Sequence, residues 1–238
     1  MIPDSRQTIY AAINYVIAPA PRVDPQANLK FQQSLTERGI EYDNVTLQGQ
    51  QLLVRRGQMS SLAMRVVGAA QGTVGQLQVV GPGPTVDVEL FLREVEAVGE
   101  AFGMTWGQNG QVLTLDVTVR DLVECSGASA FDEIWGQLLG RTPTELAPFG
   151  RPVHGGGVRL VMPPDLSSAD PTEAQVRIES FLRQREKIWI ETIFKWMRPR
   201  ALAEGLKPRN PIATVNDFVE SAVLTYLTQG TVGHSGRL

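Results

Sequence analysis

A strand that runs through two alternating prolines into an amphipathic helix is the feature that most constrains this chain. Val80 to Gly103 reads VGPGPTVDVELFLREVEAVGEAFG, and Ile17 to Gly39 repeats the order of strand, Pro-x-Pro-x-Val-Asp and helix. Proline lacks an amide proton and fixes φ, so both strands should stop pairing there. Asp24 and Asp87 then stand where a helix N-cap is needed. The alternative, an acid/base or metal dyad formed by the two aspartates, is weaker because capping explains each residue separately.

The shared placement of these motifs predicts an α+β fold made from two related strand–helix–strands units. Alternating apolar residues and short turns predict one mainly antiparallel sheet, with helices 24–38 and 87–102 on one face. The expected strands cover 8–17, 40–47, 51–55, 61–67, 76–80, 104–106, 111–120 and 158–162. The expected domains are an α+β domain over 1–165 with a pseudo-repeat at about 8–67 and 75–120, a helical C-terminal extension over 166–229, and a tail over 230–238.

Composition limits the class of protein. The 238 residues are 42% hydrophobic and 20% charged, which is typical of a globular chain. Cys125 is the single cysteine, so an intrachain disulfide is excluded and a reducing, cytoplasmic location is expected. No apolar run approaches the roughly twenty residues of a membrane span, so no membrane association is expected. The net charge of −3 gives no general attraction to nucleic acid.

The C-terminal quarter carries the candidate binding residues. Asp170-Pro-Thr-Glu is a helix start signal, and the sequence predicts one long helix from 171 to 198, followed by a helix over 214–227. On that helix Arg185 points into an apolar stripe, where it would form an internal ion pair, extend to the surface, or capture a carboxylate or phosphate of a partner. The proposed binding residues are Arg185, Trp189, Phe194, Trp196, Arg198 and Arg200.

Two segments suggest catalysis. His154-Gly-Gly-Gly matches the oxyanion loop found in lipases and esterases, but the Gly-x-Ser-x-Gly nucleophile motif is missing. Cys125 precedes a helix start near Ser129 and is a second candidate nucleophile, although Glu124 beside it would raise the pKa of the thiol. The acidic residues Asp116, Asp121 and Glu124 are better explained by surface ion pairs than by a metal ion.

These observations favour a non-catalytic protein-binding or assembly module of a cytosolic complex, because each catalytic motif lacks a required member. We expect a protein partner or a homo-oligomer, and no cofactor or metal. Two alternatives stay open. One is a nucleic-acid-binding accessory protein that uses the basic segment 171–209. The other is a small hydrolase using Cys125 or the His154 loop, which would show a pocket joining the two.

Overall fold

The computed structural model describes residues 1–56, 62–67, 74–107 and 110–229. Within them, ten strands form one sheet in which every pairing is antiparallel, as the sequence predicted. The strands are β1 Ile2–Ala18, β2 Asn44–Gln48, β3 Gln51–Arg56, β4 Leu62–Val67, β5 Gly75–Pro82, β6 Gln111–Glu124, β7 Gly157–Met162, β8 Thr172–Ser180, β9 Lys187–Trp196 and β10 Arg200–Ala201. Their order across the sheet is β2-β3-β4-β5-β1-β6-β9-β8-β7, and β10 pairs with one end of β6.

The helices of the described residues lie between and after these strands. They are α1 Pro25–Glu37, α2 Val88–Trp106, α3 Ala130–Asp132 with the π-helical continuation Glu133–Leu138, a 3₁₀ helix Pro143–Phe149, α4 Leu202–Gly205, α5 Arg209–Phe218, the π-helical turn Val219–Val223 and α6 Leu224–Gln229. In the described part of the chain no helix combines the length and apolar character that a bilayer crossing requires.

Both predicted N-caps are confirmed. Asp24 Oδ1 accepts a hydrogen bond from Ala27 N at 2.9 Å, and Asp87 Oδ1 accepts one from Leu90 N at the same distance. Each carboxylate satisfies an amide that the first helical turn leaves unpaired. The capping interpretation therefore accounts for both aspartates, while the equivalence of the two units as a repeat stays a prediction.

The helices cover one face of the sheet. Ile13, Tyr15 and Ile17 of β1 are at most 2% exposed and belong to the main apolar core together with α1, α2 and α5. A Cβ atom added to Gly81 would lie 2.8 Å from Phe91 Cδ2, so the glycine lets α2 approach the sheet. The opposite face carries mainly polar side chains.

Two predicted elements are wrong. Residues 104–106 are not a strand, because α2 continues through them and Trp106 packs on Phe31 and Phe102 with ring centroids 5.2 and 5.0 Å away. The connection between the expected strands 104–106 and 111–120 lies partly outside the described residues, as do residues 68–73 and the expected tail 230–238.

The long helix over 171–198 is the larger error. The segment forms β8 and β9, which are antiparallel neighbours, and β9 pairs with β6 along its whole length. Burial on β8 alternates with a period of two, with Ala174, Val176 and Ile178 directed to the core. The helical part of the C-terminal region therefore begins only at Leu202, and residues 172–196 are central and near-edge strands of the sheet.

Candidate functional site

A cleft of about 720 Å³ lies between α3, the 3₁₀ helix and the turn that joins β8 to β9. Its floor is apolar, since Phe131 is 6% exposed and Leu146 is 9% exposed. Basic residues also line it, since Arg151, His154 and Arg185 are all exposed lining residues. Its remaining lining residues are Ala128, Ser129, Asp132, Ala147, Gly150, Pro152, Val153, Ser180, Phe181 and Leu182.

Backbone hydrogen bonds fix the two sides of the cleft relative to each other. Ala130 N, in the first turn of α3, donates to Arg185 O at 2.7 Å, and Cys125 N donates to Glu186 O at 2.8 Å. Ser129 caps α3 through its Oγ, which accepts from Asp132 N at 3.3 Å. The turn that carries Arg185 is therefore attached to the start of α3, and Arg185 lines the same cleft as Phe131.

The third wall is the loop that the sequence singled out at His154. Gly150, with φ 68°, ends the 3₁₀ helix in the left-handed conformation that suits glycine. Further on, Gly156 and Ser180 exchange two hydrogen bonds, from Ser180 N to Gly156 O at 3.0 Å and from Gly156 N to Ser180 Oγ at 3.2 Å. A Cβ on Gly157 would overlap the carbonyl oxygen of Ile178, so glycine is required for the close approach to β8.

This packing explains the glycine run without catalysis. An oxyanion hole needs backbone amides that point at an open space, whereas the Gly156 amide is already bonded to Ser180. The loop is a tightly packed connection into β7.

Cys125 does not line this cleft. It is 5% exposed, and its Sγ donates to Gly127 O at 3.0 Å. Burial, together with the nearby Glu133 carboxylate, raises the pKa of the thiol. The pocket joining Cys125 and His154 that a hydrolase would show is therefore not found among the described residues.

The electrostatics of the mouth favour an anion. Among the described residues, no hydrogen bond or ion pair involves the side chains of Arg151 or Arg185, and Asp132 is the one acid in the lining. Arg183 lies in the same turn, is also exposed and does not line the cleft. The cleft thus combines two uncompensated guanidinium groups with a hydrophobic floor.

The six binding residues proposed from sequence do not lie together. Arg185 was expected in a buried stripe and is instead exposed at the cleft. Phe194 and Trp196 are each 7% exposed and pack under α5, with Phe194 and Phe218 ring centroids 5.1 Å apart, so they are core residues. Trp189 is half-buried on the open face of the sheet, where the Arg177 guanidinium lies 5.6 Å from its ring centroid.

The last two of the six, Arg198 and Arg200, stand at the opposite end of β9. Arg198 donates to Ala169 O at 2.6 Å, and Arg200 forms an ion pair with Asp170. Elsewhere in the basic segment, Arg177 pairs with Glu179 and Glu191. The helix on which the nucleic-acid alternative depended is absent, and these guanidinium groups are already engaged; nucleic-acid binding itself stays a sequence-based prediction.

A second, shallower depression of about 300 Å³ lies on the open face. Asn14 bridges two strands there, donating to Asp116 Oδ2 at 3.1 Å and accepting from Gln76 Nε2 at 2.5 Å. Asp121, which the sequence grouped with Asp116, lies on the other face, fully buried and bonded to Thr8 Oγ1 at 2.7 Å. The acidic cluster is therefore divided between the two faces, and no group of metal-ligating side chains occurs in the described parts of the chain.

Sequence reasoning missed Arg151 and the hydrophobic floor. Arg151 lies in a loop-rich stretch without periodicity, and its place at the cleft depends on the packing of that loop against β8. Phe131 and Arg185 line one cleft because residues 181–186 form the turn between β8 and β9, where the sequence predicted a continuous helix.

No protein-family model matches this chain, and no curated protein matches it. Among solved structures, the chain is similar to the regulatory subunit of aspartate kinase from Thermus flavus, with 13% identity over 94% of both chains and a TM-score of 0.24. It is also similar to the di-domain ARO/CYC BexL from the BE-7585A biosynthetic pathway, with 10% identity over 95% of this chain and 99% of that one, and a TM-score of 0.21. TM-scores this low carry no argument about fold or function.

Proposed function

We propose that this protein is a non-catalytic protein-binding module whose cleft holds an acidic segment of a partner protein. The observation that carries the proposal is that two exposed arginines without an ion pair among the described residues, Arg151 and Arg185, line the same cleft as the buried apolar residues Phe131 and Leu146. Arginine binds carboxylates through two parallel hydrogen bonds, and a large apolar side chain fits a preformed hydrophobic floor.

The openness of the cleft favours a protein segment over a small molecule. Pockets for small molecules enclose most of the ligand, whereas here the charged groups and Leu182, which is 72% exposed, stand at the rim. A loop or terminus of a partner can place an aromatic or aliphatic residue on Phe131 while flanking carboxylates meet the arginines. Ser129 and Ser180 add hydroxyl groups to the lining.

Fluorescence anisotropy with labelled peptides tests this proposal. The probes are Glu-Glu-Phe-Glu-Glu, its glutamine counterpart Gln-Gln-Phe-Gln-Gln and the apolar-deleted Glu-Glu-Ser-Glu-Glu. We expect the first to bind most tightly. Loss of one charge-assisted hydrogen bond costs about 1.5–3 kcal/mol, so Arg151→Gln and Arg185→Gln should each weaken binding roughly tenfold or more.

Arg183→Gln is the matched control, because it removes the same charge from the same turn outside the cleft. Equal losses for Arg183→Gln and Arg185→Gln would mean non-specific attraction and would overturn the proposal. A 15-nucleotide oligothymidylate, titrated in parallel, separates the alternatives. Binding of the oligonucleotide without binding of any peptide would favour the nucleic-acid function.

A further inference from the structure

The outer edge of β7 is an unpaired strand edge. β7 pairs with β8 on one side, and among the described residues no backbone hydrogen bond joins its other side to any element. Alternate residues of this six-residue strand therefore direct amide and carbonyl groups outward, where they can pair with another strand.

The two edges of the sheet are built differently. At the opposite edge, Asn44, Thr46 and Gln48 of β2 are exposed and polar, while Val45 and Leu47 pack against the core. The exposed side chains of this edge are therefore polar, and its apolar side chains are covered by the core.

On β7, Leu160 is 40% exposed and Val161 is 53% exposed. Leu160 lies opposite the buried Val176 and Val161 lies opposite Gln175, so the two residues belong to opposite faces. An apolar side chain is therefore exposed on each face of this edge. The one charged residue of the strand, Arg159, is exposed on the same face as Val161, and its Nη2 donates to Gln175 Oε1 at 2.6 Å.

Further exposed apolar side chains flank this edge. Phe149, which is 68% exposed, and Leu182 line one hollow of about 580 Å³ with Gly157, the first residue of β7. At the other end of the strand, Leu166 lies four residues after Met162 and is 79% exposed. An apolar rim at both ends of an open strand is typical of an interface.

We propose that β7 pairs antiparallel with β7 of a second copy of this chain, about a two-fold axis at Leu160. This register places Leu160 opposite its own counterpart, Val158 opposite Met162, and Arg159 opposite Val161, so each residue meets one on the same face. A register centred on Arg159 would instead oppose two guanidinium groups, which is unfavourable.

The same axis brings the Met162 end of one copy to the Gly157 end of the other. Leu166 of one subunit then approaches Phe149 and Leu182 of its neighbour, and these contacts enlarge the interface beyond the strand pair. Stable interfaces bury about 1,000 Å² or more, and a six-residue strand pair needs such additional area. A second copy of β7 would pair the free backbone groups of this edge, cover Leu160 and Val161, and keep the two Arg159 side chains apart.

A disulfide experiment tests the register. In the proposed dimer, the two residues at position 160 are direct cross-strand neighbours, about 5 Å apart between Cα atoms, which a disulfide can span. Leu160→Cys should therefore form a covalent dimer on mild oxidation. Val158→Cys is the matched control, because its two copies would stand roughly 13 Å apart along the strands. The native Cys125 is buried and contributes little background.

Sedimentation of the full chain from 1 to 100 µM tests the association itself. The 26.1 kDa chain should approach 2 × 26.1 = 52.2 kDa with increasing concentration. Val161→Lys should weaken dimerisation at least tenfold, whereas Thr46→Lys on the other edge should not change it.

A wild-type chain that stays monomeric at 100 µM would overturn the proposal, and β7 would then be available to pair with a strand of a different protein. A dimer that survives Val161→Lys and does not cross-link through Leu160→Cys would place the interface elsewhere.

Discussion

Tyr15 carries a buried hydroxyl group for which the described residues provide no partner. The side chain is 0% exposed in the centre of β1, and its Oη has no hydrogen bond. Burying a hydroxyl without a partner costs about 1–3 kcal/mol relative to water. Tyr15→Phe removes that hydroxyl and keeps the ring, so we expect the variant to be more stable than the wild type.

The size of the effect follows from two opposing contributions. Relief of the unpaired hydroxyl gains about 1–2 kcal/mol, and the small void left by one oxygen costs a few tenths of a kcal/mol at about 24 cal/mol per Å³. The net gain should be about 1 kcal/mol. For a chain of this length, that gain corresponds to an increase in Tm of about 2–4 °C, or about 0.3–0.5 M in the urea midpoint.

Urea denaturation followed by circular dichroism measures this change, and Tyr42→Phe is the control. Tyr42 Oη donates to Gln32 O at 3.4 Å and is half-buried, so its removal should be neutral or destabilising by up to about 1 kcal/mol. A Tyr15→Phe variant that is less stable than the wild type by more than about 0.5 kcal/mol would refute the reasoning, since the hydroxyl would then make a favourable bond.

The pH dependence gives an independent measurement of the same group. Burial, and to a lesser degree the Glu96 carboxylate, raise the pKa of Tyr15 above its ordinary value of 10.0. The folded protein therefore retains the phenolic proton after the unfolded chain has lost it, so this contribution to the free energy of unfolding is present below pH 10 and declines above it. In Tyr15→Phe this decline should be shallower by up to about 1.4 kcal/mol per pH unit.

Two further predictions concern the caps and the thiol. Asp24→Ala and Asp87→Ala should each lower the free energy of unfolding by about 1 kcal/mol, whereas Asp→Asn at either position should cost far less; equal losses for Ala and Asn would show that charge, and not the cap hydrogen bond, stabilises these helices. Cys125 should react with iodoacetamide at pH 7 at least 100-fold more slowly in the folded protein than in 6 M urea, because burial protects the thiol and raises its pKa; comparable rates would mean an accessible thiolate.

Local signals in the sequence predicted the first half of the fold well. These signals depend only on residues close together in the sequence: the capping aspartates, the glycine that ends α1, and the alternation along β1 and β6. The structure confirms the corresponding helices and strands. The polar open face was also predictable, since Thr114, Asp116 and Thr118 alternate with core residues. The cleft was not predictable, because it depends on contacts between α3, a loop and a turn that are distant in sequence.

The error over 171–198 has a specific physical cause. Asp170-Pro-Thr-Glu resembles a helix start, and Glu173 and Arg177 have the spacing of a helical ion pair. The same residues also alternate between polar and apolar from Thr172 to Ser180, and the two periods fit a short segment almost equally well. Pairing of β9 with β6 stabilises the strand conformation over the helix, because it buries Ile188 and Ile190 in the core.

This change of structure also moves the interaction surfaces. On a helix, Trp189, Phe194 and Trp196 would have left apolar surface for a partner. As a strand, β9 directs Phe194 and Trp196 into the core, and the edge of the sheet passes to β7, where Leu160 and Val161 remain exposed. The turn between β8 and β9 meanwhile carries Arg185 to the cleft. The proposed binding surfaces are therefore the edge of β7 and the basic cleft, and no longer the aromatic residues of β9. Separate experiments test each of the two surfaces.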